Sequence, residues 1–250
     1  MELPPVGLGT MGIDEPGVVS DAIDAGYRHV DTAQIYDNER VVGEGLAAAD
    51  RGALFVATKL WIDCLAADDV RPGTERSLDR LGLDYVDLLY VHRPRGDYAP
   101  ETTLPALDAI RESGLTDHVG CSNFSLTQLR TAQEYVDIAA HQVEFHPFFR
   151  DESLLDHATR HDYTLVAYSP LAGGLVFDDP TIRAIAAEHD TTPAAVAIAW
   201  VTSYDNVVTI PKASSRDHLA ANLAAADLDL DADAVARIEA IERDEELFPE

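Results

Sequence analysis

Short runs of β-branched and aromatic residues alternate along this chain with longer, Ala-rich stretches whose apolar positions recur at helical spacing. The runs predict strands at residues 6–8, 28–31, 54–58, 86–90, 119–121, 137–143, 164–168 and 207–210. Between them the spacing predicts helices at 18–24, 39–48, 70–80, 103–112, 126–132, 153–161, within 181–204, and at 216–225 and 232–243. The connection before the last strand is doubled, because Thr192 can cap a second helix with Pro193 in its first turn. Strand and helix alternating in this way build a parallel sheet from βαβ units. Eight such units without a linker or low-complexity segment predict an α/β fold, a single (β/α)8 TIM barrel spanning residues 1–250.

One motif points elsewhere. Gly7, Gly9 and Gly12 spell GxGxxG after the first strand, and Asp31 ends the second strand about twenty residues further on, as a dinucleotide-binding fingerprint requires. That motif needs a helix starting at once, whereas Pro16-Gly17 is expected to delay the helix to Val18. The barrel is therefore preferred to a Rossmann domain.

Composition narrows the partners. The 29 Asp and 16 Glu face only 16 Arg and 2 Lys, a formal charge of -27. Such a surface repels nucleic acid and anionic membranes. Acidic residues everywhere and almost no Lys fit a protein of very high salt, where screening removes self-repulsion, as in a halophilic archaeon. No apolar leader or long apolar span is present, and Cys64 and Cys121 form no pair motif. The expected setting is a reducing cytoplasm, the expected partner a small molecule, and the expected state a monomer or weak homo-oligomer. No HExxH, His/Cys cluster or calcium loop predicts a metal. The shortage of Lys also makes Lys59 and Lys212 conspicuous, since Lys differs from Arg in its compact charge and movable pKa.

The C-terminal ends of barrel strands share one mouth, so residues just past different strands meet there. Asp31 is expected to end strand two, Lys59 strand three, and His92 to follow strand four, with Tyr36 five residues past Asp31. A carbonyl that accepts a hydride needs a proton donor and stabilisation of its oxygen. Tyrosine is a weak acid, with a free pKa of about 10, and a nearby ammonium is expected to lower it while a carboxylate holds that ammonium in place. Asp31, Lys59 and Tyr36 supply this chain, and His92 can donate to the oxygen. Singly, each has a plainer explanation: a cap, a packed ring, a solvated strand end, a loop residue.

The segments GLGTMG, DTAQIYDNERVVGEGL, ATKLW, DLLYVHRP, VGCSNF, HQVEFHP, LVAYSPL and TIPKASS follow one another in an order that resembles the aldo-keto reductase superfamily, in its small prokaryotic type similar to 2,5-diketo-D-gluconic acid reductases. The resemblance covers nearly the whole chain. It implies a catalytic tetrad of Asp31, Tyr36, Lys59 and His92, and NADPH/NADP+ lying extended across the mouth. Gly9, Thr10 and Asp31 would border that cofactor; Tyr168 would stack on the nicotinamide, with Ser122, Asn123 and Gln142 at its carboxamide. Ser169 and Leu171 would lie near the pyrophosphate, and Lys212, Ser214, His218 and Asn222 near the adenosine phosphate.

Departures from the family pattern matter too. His218 stands where many phosphate-preferring relatives have Arg, and Ala221 replaces an acidic residue, so NADH is possible. His141 replaces an Asn beside Gln142. Met11 and Arg93 stand where some mammalian relatives carry Trp, while Trp61 and Phe124 remain as apolar walls of the substrate pocket. With little chain after Arg243, an open pocket is expected. Arg93 suggests a substrate with a carboxylate or several hydroxyls; equally it could face a surface Asp. The implied function is NADP(H)-dependent reduction of a small aldehyde or ketone. The alternative is a cofactor-binding regulatory or partner-binding subunit, and phosphosugar isomerisation, with Glu144 as base, is a third reading.

Overall fold

A computed structural model describes residue 1 and residues 3–249. Eight parallel strands pair in chain order: β1 (Leu8–Gly9), β2 (His29–Asp31), β3 (Phe55–Leu60), β4 (Val86–Val91), β5 (Thr116–Ser122), β6 (Ala140–Glu144), β7 (Thr164–Tyr168) and β8 (Val207–Thr209). Val6 bridges Thr209 in parallel and closes the ring. Gly7 N donates to Thr209 O at 2.8 Å, and Thr209 N to Pro5 O at 2.9 Å. Closure leaves no sheet edge open to pairing.

Outside the ring lie α1 (Pro16–Ala25), α2 (Glu39–Leu46), α3 (Ala67–Leu81), α4 (Pro100–Glu112), α5 (Leu126–Ala132), α6 (Glu152–His161), α7 (Pro180–Glu188), α8 (Pro193–Thr202), α9 (Arg216–Ala224) and α10 (Ala232–Glu239). Side chains alternate across each strand, so every strand serves two apolar layers. Ala57, Leu88, Tyr90, Ala140 and Val166 fill the barrel interior. Val56, Leu60, Leu89, Val91 and Val119 face the helices, where Trp200 and Ile182 are wholly buried.

Some boundaries differ from the sequence pattern for local reasons. α1 starts at Pro16, because proline at the first helical position loses no hydrogen bond and its fixed φ suits the turn. β3 runs on to Leu60, so Lys59 lies within the strand and not at its end. β5 begins at Thr116 and β6 only at Ala140. Thr192 caps α8 as its sequence predicts, accepting from Ala195 N at 3.2 Å.

The fingerprint glycines have a packing explanation. A Cβ on Gly7 would lie 2.4 Å from His29 Nδ1, and one on Gly9 2.4 Å from the Ile210 carbonyl oxygen. Gly7 makes room for the His29 side chain of β2, and Gly9 lets the chain after β8 approach at the barrel seam.

Candidate active site

Asp31 and Lys59 form an ion pair in the mouth of the barrel, their side chains 1% and 0% exposed. Burying two charges is tolerable only when their remaining hydrogen-bonding capacity is met. Lys59 Nζ donates to Asp31 Oδ1 and, at 2.9 Å, to the Thr32 carbonyl. Gln142 Nε2 donates to Asp31 Oδ2 at 2.8 Å. The family resemblance puts Gln142 near the nicotinamide carboxamide, and nothing in the spacing of β6 signals its contact with the carboxylate.

Tyr36 ends a three-residue helical turn, Gln34–Tyr36, just past β2. The Lys59 ammonium lies 5.3 Å from the centre of its ring. Burial pushes the Tyr36 phenol up, Lys59 pulls it down and Asp31 pushes it up again, leaving it above the ordinary tyrosine value. The expectation of a lowered pKa is thereby corrected, because burial outweighs the ammonium. Burial alone would lower the Lys59 pKa, but Asp31 and Tyr36 more than offset it and Lys59 stands above its ordinary value. The pair is thus a neutral phenol beside a charged ammonium.

His92 follows β4 immediately, its N–H donating to Leu60 O at 3.1 Å. Its ring meets Tyr36 edge-on at 5.9 Å and Trp61 at 5.1 Å. Burial, then the charges of Lys59 and Arg93, push its pKa down to about 2. His92 is a neutral imidazole, able to give a hydrogen bond but carrying no acid proton.

Asn123, at φ 60°, joins the next strands to this group. Its Nδ2 donates to His92 O and Ser122 Oγ, each at 3.0 Å, and its Oδ1 accepts from the Tyr168 hydroxyl at 2.9 Å. His141 holds the same loop from outside the ring, its Nε2 accepting from Phe124 N at 3.2 Å, and burial lowers its pKa to about 3. Thr10 Oγ1 donates to the Asp31 carbonyl at 2.9 Å, beside Gly9 at the end of β1. Ser169, at φ 55°, and Leu171 continue the turn after Tyr168.

The remaining predicted residues lie around α9 and the rim. Lys212 is exposed and donates to Ser214 Oγ at 3.2 Å. Ser215 caps α9 by accepting from the backbone N–H of His218, whose side chain is exposed, while Asn222 is buried. Met11 is 57% exposed and walls nothing off, whereas Trp61 and Arg93 are half-buried. Phe124 is 2% exposed, packs against Tyr98 and His141, and also lines the cavity beside Asn123 and Tyr168.

A cavity of about 410 Å³ opens beside Asn123, Tyr168, Pro94 and Arg95. It is less open than expected, because the segment after α10 turns back over the mouth. Leu247 N and Phe248 N donate to Glu144 at 2.7 and 3.0 Å, and the Phe248 ring meets Tyr168 at 5.8 Å. Glu144, which also takes a hydrogen bond from His146 at 2.9 Å, serves as a clamp for this segment. That use occupies the carboxylate on which the isomerase reading relied.

Comparison with known proteins gives a consistent picture. The model of the Aldo/keto reductase family matches residues 6–243. Methylglyoxal reductase DkgB of Salmonella typhimurium is 37% identical over 99% of this chain and 96% of its own. A crystal structure provisionally described as a 2,5-diketo-D-gluconic acid reductase B superposes with a TM-score of 0.91 at 34% identity, over 95% of this chain and 87% of that one. MGS-M4, an aldo-keto reductase from a Medee basin deep-sea metagenome library, gives 0.93 at 30% identity, over 100% and 95%. No helix among the described residues is long and apolar enough to cross a membrane.

Proposed function

The chain belongs to the aldo/keto reductase family, and from that premise we propose that it reduces a small aldehyde or ketone with NADPH, Tyr36 acting as proton donor. The observation that carries this reading is the buried Asp31–Lys59 pair placed against the Tyr36 phenol. The donor set suits a nicotinamide dinucleotide. Tyr168 offers a flat ring tied through its hydroxyl to the Asn123 amide, and Lys212 lies before the N-terminus of α9, whose dipole favours a phosphate. When bound, that cofactor supplies a hydride to the carbonyl carbon. Tyr36 gives its proton to the carbonyl oxygen, completing the alcohol, and Lys59 stabilises the phenolate left behind until solvent returns the proton. His92 donates a hydrogen bond to the same oxygen as charge develops.

Retention of Lys212 in a chain of two lysines favours NADPH, while His218 leaves NADH as the competitor. The positive charge of Arg93 is felt at both Tyr36 and His92. A substrate bearing an anionic group next to its carbonyl would profit from it. Arg93→Leu should then raise KM for keto acids and leave neutral aldehydes unchanged; an equal effect on both would remove this preference. The work takes place in the cytoplasm at high salt, as the charge of -27 suggests.

The test is cofactor oxidation by the pure protein in molar KCl, with NADPH or NADH and a panel of small carbonyls, beside Tyr36→Phe. Loss of turnover by roughly 10²–10⁴-fold with cofactor binding retained is the expected result. Cofactor binding without turnover by the wild type would instead favour a regulatory subunit.

A further inference from the structure

The proton donor sits on a weak support. Tyr36 closes a turn of three residues held by little of its own: Tyr36 N donates to Ala33 O and Asp37 N to Gln34 O, each at 3.1 Å. Ile35 between them is 47% exposed, so the core does not grip this turn. Two side-chain amides flank it. Asn38 fastens the β1 side, its Nδ2 donating to Thr10 O at 2.7 Å and Ile13 O at 2.9 Å. Gln34 fastens the other side through three hydrogen bonds to two further elements. Its Nε2 donates to the Gly73 carbonyl and to Ser77 Oγ on α3, both at 3.0 Å, and its Oε1 accepts from Trp61 N at 2.8 Å.

The Trp61 contact matters because the Trp61 ring packs edge-on against His92 at 5.1 Å. One amide thus fixes the turn carrying Tyr36 and the residue bracing His92, the two groups that would meet on a single substrate oxygen. α3 packs closely on the segment that follows Trp61 because residue 73 is glycine, where a Cβ would lie 2.9 Å from the Cys64 Cβ. Only a side chain of this length that both donates and accepts can satisfy a carbonyl, a hydroxyl and an N–H together.

We propose that Gln34 is a positioning residue for proton transfer, holding the Tyr36 hydroxyl in register with His92. The proposal rests on Tyr36 being the proton donor. The Gln34 amide is engaged by Gly73, Ser77 and Trp61 N, so its loss should act on kcat and not on cofactor affinity; misplacement of reacting groups by about 1 Å costs on the order of 100-fold.

The experiment uses Gln34→Met, which keeps the length and loses all three hydrogen bonds, and Gln34→Glu, which keeps acceptance from Trp61 N but cannot donate to Gly73. Steady-state kinetics in molar KCl are run beside Tyr36→Phe, with cofactor Kd by fluorescence titration and the solvent deuterium isotope effect on kcat. Expected are a fall in kcat of tenfold or more for Gln34→Met, a smaller fall for Gln34→Glu, unchanged cofactor Kd, and a larger isotope effect as proton transfer becomes limiting. Unchanged kcat in either folded variant overturns the proposal, as does a fall in kcat with an unaltered isotope effect. If both variants fail to fold, Gln34 is a structural residue and the proposal is wrong. Should Tyr36→Phe itself keep full activity, the proposed function fails, and that outcome is distinct from normal Gln34 variants beside an inactive Tyr36→Phe.

Discussion

The barrel interior buries one histidine low on β2 and another at its mouth, and their chemistry differs although their burial does not. His29 is wholly enclosed, two residues below Asp31 on the same strand, edge-on to Phe55 at 5.5 Å. Among the described residues neither of its ring nitrogens has a hydrogen-bond partner, and burial lowers its pKa to about 4. His92 is 8% exposed, its Nδ1 is equally unpartnered, and its pKa falls to about 2. An unsatisfied buried imidazole is therefore no mark of a site. What separates the mouth is a compensated charge pair beside a phenol, with His92 turned edge-on to it, whereas in the lower layer His29 meets the ring of Phe55.

The strongest way to break the comparison is to remove the charge that distinguishes the mouth. Lys59→Met leaves the Asp31 carboxylate buried without its counter-ion, which typically costs about 3–5 kcal/mol. Activity should fall by roughly 10²–10⁴-fold as Tyr36 loses the ammonium that stabilises its phenolate. Urea unfolding in molar KCl measures the first effect and cofactor oxidation the second. Adding Asp31→Asn should restore much of the stability and none of the activity. A single variant as stable as the wild type would mean that Asp31 is not held as a buried anion.

Much of this was legible beforehand, and the gaps have physical causes. Strand ends were readable because β-branched runs stop at turn residues, and the barrel rule then brought Asp31, Lys59 and His92 to one mouth. The direction of the Tyr36 shift was not readable, because it depends on how deeply the phenol is buried, which no spacing reveals. Gln34, Gln142 and Glu144 were invisible as partners for a related reason: the hydrogen bonds that tie them to Trp61, Asp31 and Leu247 span 27, 111 and 103 positions of chain. Pro16 misled by a rule applied two positions too strictly, since a proline that interrupts a helix interior begins one without penalty.

A smaller effect is expected at His92 itself. Removing one donor to a developing oxyanion costs about 10²–10³-fold in kcat, so His92→Ala should lose that much while cofactor affinity holds. The pH profile sharpens the assignment. With the His92 pKa pushed to about 2, kcat for reduction should show no break between pH 5 and 8. It should decline only in alkali, beyond the ordinary tyrosine range, as the raised Tyr36 pKa is reached and the phenol ionises. A break near pH 6.5 that vanishes in His92→Ala would mean that the imidazole is an acid after all.

The smallest effect belongs to His29. His29→Leu should leave kcat within about twofold, since nothing polar is lost, and should change stability at pH 7.5 by about 1 kcal/mol or less, because an apolar side chain of similar size replaces unsatisfied nitrogens. Its signature lies in acid. The folded pKa of about 4 is below the unfolded value of 6.5, so the native state prefers the neutral ring. Stability is accordingly present in full above pH 6.5 and is lost as the pH falls from 6.5 towards 4. At pH 5 that loss is about 2 kcal/mol for one such group, from one and a half pH units at about 1.36 kcal/mol each. Urea unfolding at pH 7.5 and 5.0 should show His29→Leu gaining about that much on the wild type between the two. Parallel losses in both proteins would mean that His29 is hydrated or partnered in solution, and the contrast between the two ends of the barrel would then rest on the charge pair alone.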